Sequence, residues 1–393
     1  MHKYLFNAKT ALVAVLAFGI TSCSDDVVVK QNLRTKIDYS VLTPATPYST
    51  LFVDASSVST VDLADGNNRH KMFQSINSYN SSNITANTEI DAAKLKNMFT
   101  NTGNPFVDIT STNVNVIGAD LNAAGVQLKN VVATSKSDAE AAAARTRIEG
   151  LFDQIDAASA FSSQTASNGY PGKLGTYLVD SKGIEINQII QNSLIGALQL
   201  DYIGNVLLDE GLTAENYEVV EGKTYTQLEH NWDVAYGLLT LNPIYLAGST
   251  DDKRGTIEFA GGSYIWEYNK ANYAKIYPAF LKGRAAIVNN DKTELQAQAT
   301  FIRTQFEKAV AGAALGYLAK WKAGDATDAI RAHAMGEGLG FVYSLRFATI
   351  HGADAAFSDK LLNDLVGSEH GFWDLTAEKI NAASDAIKAK FGL

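Results

Sequence analysis

Long segments with helical periodicity fill the chain from Ser137 to the C-terminus, and they restrict the possible fold more than any other feature. Residues 184–208 are apolar on nearly every face, which is typical of a buried helix. Ser137 and Asp291 each precede a glutamate by three residues, a spacing that predicts the first turn of a helix. Alternating strand patterns are nearly absent. The sequence therefore predicts an all-α protein built from helical bundles.

Changes in composition divide the chain into five parts. The segment before the first helices is rich in serine, threonine and valine and contains Pro44 and Pro47, so we expect a poorly structured approach to the folded domain. Pro278 predicts a kink near the middle of a helix in the second half of the chain. The predicted parts are a signal peptide (1–22), a tether (23–60), a first helical lobe (61–250), a connecting loop (251–269) and a second helical lobe (270–393).

The first 22 residues have the pattern of a bacterial lipoprotein signal peptide. Lys3 and Lys9 give a basic start, and the apolar run 10–19 is too short to span a bilayer, which requires about 20 residues. Small residues then precede Cys23, the only cysteine in the sequence, so no disulfide can form. We expect cleavage before Cys23 and a lipid on its thiol that anchors the chain in the outer membrane. The alternative is a secreted protein in which this cysteine is coincidental.

Charge restricts the partners of the mature chain. Ser24, Asp25 and Asp26 resemble a signal for export to the cell surface, and an anchor on the periplasmic face is the alternative. Removal of Lys3 and Lys9 with the signal peptide changes the net charge from −9 to −11. Because the chain is acidic and has no basic clusters, we expect neither nucleic acid nor anionic lipid as a partner.

Two turns that share a pattern of histidine, acid and glycine are the strongest indication of a functional site. His230 is followed by Asp233 at i+3, and His333 is followed by Glu337 at i+4. A glycine stands at i+7 after each histidine. At about 100° per residue, each histidine and its acid share one face of a helix. The glycines indicate close packing against a neighbouring helix.

Three interpretations of these turns are open. In the first, each histidine is a core imidazole that bonds to the acid one turn away. In the second, His230, Asp233, His333 and Glu337 converge on a divalent metal such as iron, zinc or manganese. In the third, they line a polar pocket for an organic ligand. Further acids in or beside these helical segments are weaker candidates: Glu185, Asp201 and Glu229.

Three stretches resemble a family of bacterial lipoproteins: Gly183-Ile-Glu185 followed by LIGALQLDYI, Glu229-His-Asn-Trp-Asp-Val-Ala-Tyr-Gly237, and the His333 turn with GFVYSL. This family is a domain of unknown function from Bacteroidota that is related to the imelysin-like proteins. The resemblance covers roughly residues 45–390 and is most specific around His230.

The resemblance implies two helical-bundle lobes with a site at their interface and an association with iron uptake. The founding imelysin-like protein was described as a metallopeptidase, and these proteins carry a Gly-x-His-x-x-Glu motif. In this sequence Leu228 replaces the glycine and Asp233 replaces the glutamate. Only the histidine, His230, and the acidic character therefore carry over from the motif.

Our first functional hypothesis is a non-enzymatic lipoprotein, anchored through Cys23, that captures a ligand between two helical lobes during the acquisition of iron or another nutrient. The alternative is a metal-dependent hydrolase in which Asp233 or Glu337 is the general base. The motifs of zinc peptidases, His-Glu-x-x-His and His-x-x-Glu-His, are absent from the sequence. A surface scaffold without a small ligand is the third possibility.

Overall fold

The computed structural model describes residues 32–111, 114–253 and 262–393. The predicted signal peptide, the lipidation site Cys23 with the acidic residues after it, and residues 254–261 of the predicted connecting loop lie outside the described residues. Most of the described chain is helical, and the prediction of an all-α protein with helical bundles is confirmed. None of the described helices is long and apolar enough to cross a membrane.

The α-helices of the described residues are α1 (Tyr48–Leu51), α2 (Ala64–Ala86), α3 (Ala92–Thr100), α4 (Gly118–Ala123), α5 (Asp138–Ser159), α6 (Ile186–Gly196), α7 (Gln227–Gly237), α8 (Gly262–Tyr268), α9 (Lys270–Tyr273), α10 (Ile276–Asn289), α11 (Lys292–Trp321), α12 (Asp328–Ser344), α13 (Ala355–Val366) and α14 (Ala377–Phe391). A π-helix, Ala197–Leu207, continues α6 without a break. Short 3-10 helices are Tyr39–Val41, Lys129–Val131, Glu210–Thr213, Pro243–Tyr245, Asp251–Lys253, Leu345–Phe347 and Gly371–Asp374. Two antiparallel hairpins join β1 (Ile109–Thr110) to β2 (Asn115–Val116) and β3 (Gly172–Leu174) to β4 (Tyr177–Val179).

Helix α11 is the longest of these helices, and it packs against both α10 and α12. It begins where the sequence predicts, because the carboxylate of Asp291 accepts a hydrogen bond of 3.0 Å from the N–H of Glu294. The face of α11 toward its neighbours is rich in alanine, and these small side chains let the helices approach closely. Helix α12 also packs against α6, so α12 lies between α6 and α11 in the core.

The apolar segment predicted as one long helix forms α6 and the π-helix, and most of its residues are buried. Helix α12 packs closely against this segment at Ser344. The hydroxyl of Ser344 donates a hydrogen bond of 2.7 Å to the carbonyl oxygen of Asn192. A Cβ at Gly196 would lie only 2.1 Å from the same hydroxyl. The closeness of this crossing therefore depends on the glycine.

The glycines at i+7 of the two histidine motifs have the packing role that the sequence predicts. A Cβ at Gly340 would lie 2.6 Å from the Cβ of Asn192 on α6. A Cβ at Gly237 would lie 2.7 Å from the carbonyl oxygen of Leu63, which precedes α2. Because interiors are close-packed, neither contact tolerates an added methyl group without a shift of the backbone.

The prediction of a kink at Pro278 near the middle of a helix is wrong. Pro278 lies in the first turn of α10. Backbone N–H groups in the first turn have no carbonyl partner within the helix, so proline breaks no helical hydrogen bond there. The helical chain instead breaks at Ala274 and Lys275, between α9 and α10. Ala274 is four residues before the proline, where the proline ring would clash with a helical carbonyl group.

Residues 32–60 belong to the folded domain, so the predicted tether is wrong over these residues and stays a prediction over 23–31. Tyr48 and Phe52 are buried in the core, with 4% and 1% of their surface exposed. Pro44, Pro47 and many serines and threonines interrupt the apolar residues of this segment, so no long helical or strand period marks it in the sequence. Its attachment rests on single side chains that reach distant partners, described below.

The ends of the predicted connecting loop are helical, because Asp251–Lys253 forms a 3-10 helix and α8 begins at Gly262. Tyr264 and Ile265 of α8 are buried in the core. Asn32–Leu393 forms one compact unit, in which α12 contacts α6 and α7 contacts α10. Helices from the two predicted lobes thus pack against each other, and the boundary between the lobes stays a prediction.

Candidate functional site

The first histidine motif opens α7 with a capping box. The hydroxyl of Thr226 accepts a hydrogen bond of 3.2 Å from the N–H of Glu229, and the carboxylate of Glu229 accepts one of 2.9 Å from the N–H of Thr226. This reciprocal pair fixes the first turn of the helix. It also directs Glu229, and Asp233 one turn later, to the buried side of α7.

Both acids of this motif bind a buried arginine, Arg284 of α10. Its Nη1 donates to Oε1 of Glu229 at 2.9 Å, and its Nε donates to Oδ1 of Asp233 at 3.0 Å. The three side chains are at most 1% exposed. Burial raises the pKa of Glu229, but the charges of Arg284 and Arg34 and the hydrogen bonds from Arg34 and the N–H of Thr226 outweigh burial and bring that pKa below its usual value.

The N-terminal segment completes this group. Arg34 donates from Nη2 to Oε2 of Glu229 at 2.9 Å, and the hydroxyl of Tyr48 donates to Oδ1 of Asp233 at 2.7 Å. Two arginines and two carboxylates balance in charge, and we call Arg34, Glu229, Asp233 and Arg284 the arginine cluster. Its contacts hold α10 and the N-terminal segment against α7, which is a structural role.

His230 lies on another side of α7 and does not bond to Asp233, so the predicted pairing is wrong. Its ring stacks on Tyr225 with 4.6 Å between ring centroids, and its Nε2 is 3.9 Å from Oδ2 of Asp65. Burial lowers the pKa of His230 despite the opposing charge of Asp65. Its Nδ1 is buried and has no hydrogen-bond partner among the described residues. His230 is therefore a mostly neutral imidazole that packs on an aromatic ring.

The second motif has a different geometry. Nδ1 of His333 lies 2.7 Å from Oε2 of Glu185, which precedes α6, and Nε2 lies 3.7 Å from Oε1 of Glu337. The first distance is a hydrogen bond and the second is longer than one. The predicted hydrogen bond to the acid one turn away is therefore wrong, although Glu337 lies within ion-pair distance, and Glu185, a weaker candidate in the sequence, is the closer partner. The ring also stacks on Tyr177 of β4 at 4.3 Å.

We call His333, Glu185 and Glu337 the His333 group. Its carboxylates are 5% and 7% exposed, whereas the imidazole is 29% exposed. Burial lowers the pKa of His333, but the hydrogen bond and charge of Glu185 and the charge of Glu337 outweigh burial and raise that pKa above its usual value. Burial raises the pKa of Glu185, and the hydrogen bond to His333 opposes this. With both acids ionised, the group carries one negative charge when the imidazole is protonated and two when it is neutral.

A cavity of about 340 Å³ opens beside His333, within the size range of small-ligand sites. Most of its lining is apolar or aromatic, with Lys320 and Asp325 as charged members. The ammonium of Lys320 lies 4.3 Å from the centroid of the Tyr317 ring, so these two lining residues form a cation–π contact with each other. Within the His333 group, the imidazole is the member that lines the cavity.

The structure does not bring His230, Asp233, His333 and Glu337 to one site. Asp233 belongs to the arginine cluster, and the two histidines share no partner in the contacts described above. In the described part of the chain, no group of three or more histidine, cysteine, aspartate or glutamate side chains has the arrangement of a metal site. These residues therefore do not fit a metal that the protein alone would hold.

The sequence did not reveal partners that come from distant segments. Arg284 was not a candidate, although it is the centre of the arginine cluster. His351 forms a third imidazole–carboxylate pair, in which its Nδ1 lies 2.7 Å from Oε2 of Glu307 on α11. Asp201, a weaker candidate, accepts hydrogen bonds from Ser135. An acid inside an otherwise apolar helix, as at Asp201, is a signal that could have pointed to a buried and hydrogen-bonded carboxylate.

A family model described as "Domain of unknown function (DUF4856)" matches residues 48–393. The chain belongs to this family. No curated protein and no solved structure is significantly similar to the chain. The matched range contains the whole His333 group and every member of the arginine cluster except Arg34.

Proposed function

We propose that this member of the DUF4856 family is a membrane-anchored binding protein that captures a small organic cation at the His333 group without transforming it. The anchor is the lipid expected on Cys23. The observation that carries the proposal is the arrangement of His333, where two buried carboxylates flank an imidazole whose exposed edge lines a cavity.

Charge favours a cation as the ligand, since the His333 group is negative in either protonation state of the imidazole. When the imidazole is neutral, its Nε2 and Oε1 of Glu337 are both hydrogen-bond acceptors, and they are 3.7 Å apart. An ammonium group in the cavity can donate to Nε2 of His333, and the negative charge of Glu337 beside that nitrogen adds to the attraction. The aromatic and alanine side chains of the cavity suit an apolar body attached to that ammonium.

An organic cation fits this site better than a divalent metal. Nε2 of His333 and Oε1 of Glu337 are two ligand atoms, whereas catalytic zinc sites use three protein ligands and structural zinc sites use four. Glu185 is already bonded to the other nitrogen of the imidazole. A relationship to the imelysin-like proteins and a role in iron or other nutrient acquisition stay predictions.

One observation favours an enzymatic alternative. Glu185 bonds to Nδ1 of His333 and leaves Nε2 for the cavity side, which is how a carboxylate orients a histidine general base. Asp233, which we predicted as a general base, is fully buried and bonded to Arg284 and Tyr48. A hydrolase at this site would therefore depend on His333 rather than on Asp233.

Titration calorimetry with benzylamine, using the full chain with Cys23→Ala so that no detergent is needed, tests the proposal. We expect benzylamine to bind about tenfold or more tightly than neutral benzyl alcohol, because its hydrogen bonds are charge-assisted. His333→Gln should remove this preference. His351→Gln is the matched control, because His351 has the same Nδ1–carboxylate distance and does not line this cavity. Binding should weaken from about pH 8 to about pH 6, since protons compete for Nε2 of His333.

The other outcomes separate the alternatives. A melting temperature that rises with Zn²⁺, Fe²⁺ or Mn²⁺ and no longer does so in His333→Gln would make the ligand a metal and contradict an organic cation. Benzylamine that binds His333→Gln as tightly as the parent chain would place the site elsewhere. No response to any probe, with His333→Gln destabilised, would favour the scaffold. An unmodified Cys23 in the native membrane fraction, measured by mass spectrometry, would contradict the anchor.

A further inference from the structure

A second cavity, of about 500 Å³, is lined by residues of α5, the loop before α6, α6 itself, α12 and α13. Its floor is formed by apolar side chains, most of them buried: Leu151, Ile184, Ile186, Ile189, Leu339 and Leu362. A continuous apolar floor of this kind suits an alkyl chain.

The rim of this cavity carries an arginine without a carboxylate partner. Arg147 of α5 is exposed, and its guanidinium packs on the ring of Tyr343 at 4.7 Å. No acid of the described residues forms an ion pair with it. Asp359, which acts on it electrostatically, is bonded to Arg346 at 2.5 Å. No acid stands three or four positions away from Arg147 on α5 either.

The remaining charges of the lining leave a positive excess. Lys182 donates from Nζ to the carbonyl oxygen of Ser368 at 3.0 Å, a contact that does not neutralise its charge. Asp180 also lines the cavity, but its Oδ1 accepts hydrogen bonds of 2.9 Å from the N–H groups of Lys182 and Ile184. Two cationic side chains and one carboxylate therefore line a cavity in a chain whose net charge is −9.

We propose that this cavity binds a monocarboxylate with an alkyl chain, such as a medium-chain fatty acid. The carboxylate takes the two parallel hydrogen bonds that the planar guanidinium of Arg147 offers, and the alkyl chain lies along the apolar floor. This site is separate from the His333 cavity, because the two share no lining residue. Its ligand also has the opposite charge.

Titration of octanoate, octan-1-ol and octylamine into the full chain with Cys23→Ala tests this proposal, because that variant carries no acyl chain that could compete. We expect octanoate to bind about tenfold or more tightly than octan-1-ol, and octylamine to bind still more weakly. Arg147→Gln should weaken octanoate binding by about tenfold or more, and Arg147→Lys should weaken it less. Arg331→Gln is the control, because Arg331 lies outside the lining of this cavity and forms a surface pair with Asp328.

Equal affinities for octanoate and octan-1-ol would overturn the proposal, as would octanoate binding that Arg147→Gln leaves unchanged. A parent chain that does not bind octanoate would overturn it as well. If Arg147→Gln unfolds at a lower temperature than the parent chain, Lys182→Gln provides a second variant of the same rim. The relative affinities of the parent chain for octanoate, octan-1-ol and octylamine also test the proposal without any substitution. His333→Gln should leave octanoate binding unchanged, so the two proposed sites can fail independently.

Discussion

Helices α7 and α12 carry nearly the same arrangement of histidine, acid and glycine, and they use it in opposite ways. On α7 the acid turns inward to Arg284, and His230 packs as a mostly neutral ring on Tyr225. On α12 the imidazole of His333 lies beside two carboxylates and at the edge of a cavity. Only the glycine has the same role in both, namely close packing against a neighbouring element.

The difference between the two helices comes from what the rest of the chain places opposite them. A buried cation, Arg284, faces α7 and turns its acids into structural ion pairs. A second carboxylate, Glu185, faces α12 and leaves the imidazole with an excess of negative charge around it. The same helical pattern is thus structural beside an arginine, and it is a candidate binding site beside an acid and a cavity.

The largest expected effect is at the arginine cluster. Arg284→Met leaves Glu229 and Asp233 buried without their main cation, so we expect a loss of about 3–5 kcal/mol in the free energy of unfolding. Urea denaturation followed by circular dichroism measures it. Arg331→Met is the control, because its partly exposed pair with Asp328, 3.7 Å apart, should contribute about 1 kcal/mol or less. Equal losses in the two variants would contradict a structural role for the cluster.

A smaller loss of stability should distinguish alanine substitutions at two glycines of α12. Gly340→Ala places a Cβ 2.6 Å from that of Asn192, and we expect a loss of about 1–3 kcal/mol from overpacking. Gly338→Ala meets its nearest atom, the Cβ of Tyr317, at 3.4 Å, which is ordinary contact. It should be neutral or stabilise the helix by up to about 1 kcal/mol. Thermal unfolding of both variants checks this, and equal losses would mean that the close approach of α6 is not required.

Local features of the sequence predicted local features of the structure. The start of α11 at Asp291 and the buried helix over residues 184–208 follow from capping chemistry and from periodicity, which depend on neighbours in the sequence. The partners of the two histidines could not be predicted in this way. Glu185 is 148 positions from His333 and Asp233 is 51 positions from Arg284, so these pairs depend on tertiary packing. The attachment of Tyr48 to Asp233 was missed for the same reason.

The contrast between the two motifs also has opposite consequences for pH. The pKa of His333 is raised, so its contribution to stability is fully present below about pH 6.5 and is lost as pH rises through its folded-state pKa. The pKa of His230 is lowered, so the folded state resists its protonation and loses stability as pH falls below about 6.5.

A nuclear magnetic resonance titration of the imidazole signals tests this contrast most directly. Signals are assigned with His230→Gln and His333→Gln, and the full chain with Cys23→Ala is titrated with and without benzylamine. We predict that His333 titrates above about pH 6.5 and His230 below it. Benzylamine should lower the pKa of His333 and leave that of His230 unchanged, because a bound cation opposes protonation of Nε2. The same pKa for both histidines, or a response to benzylamine at His230 alone, would contradict the account of two motifs with different roles.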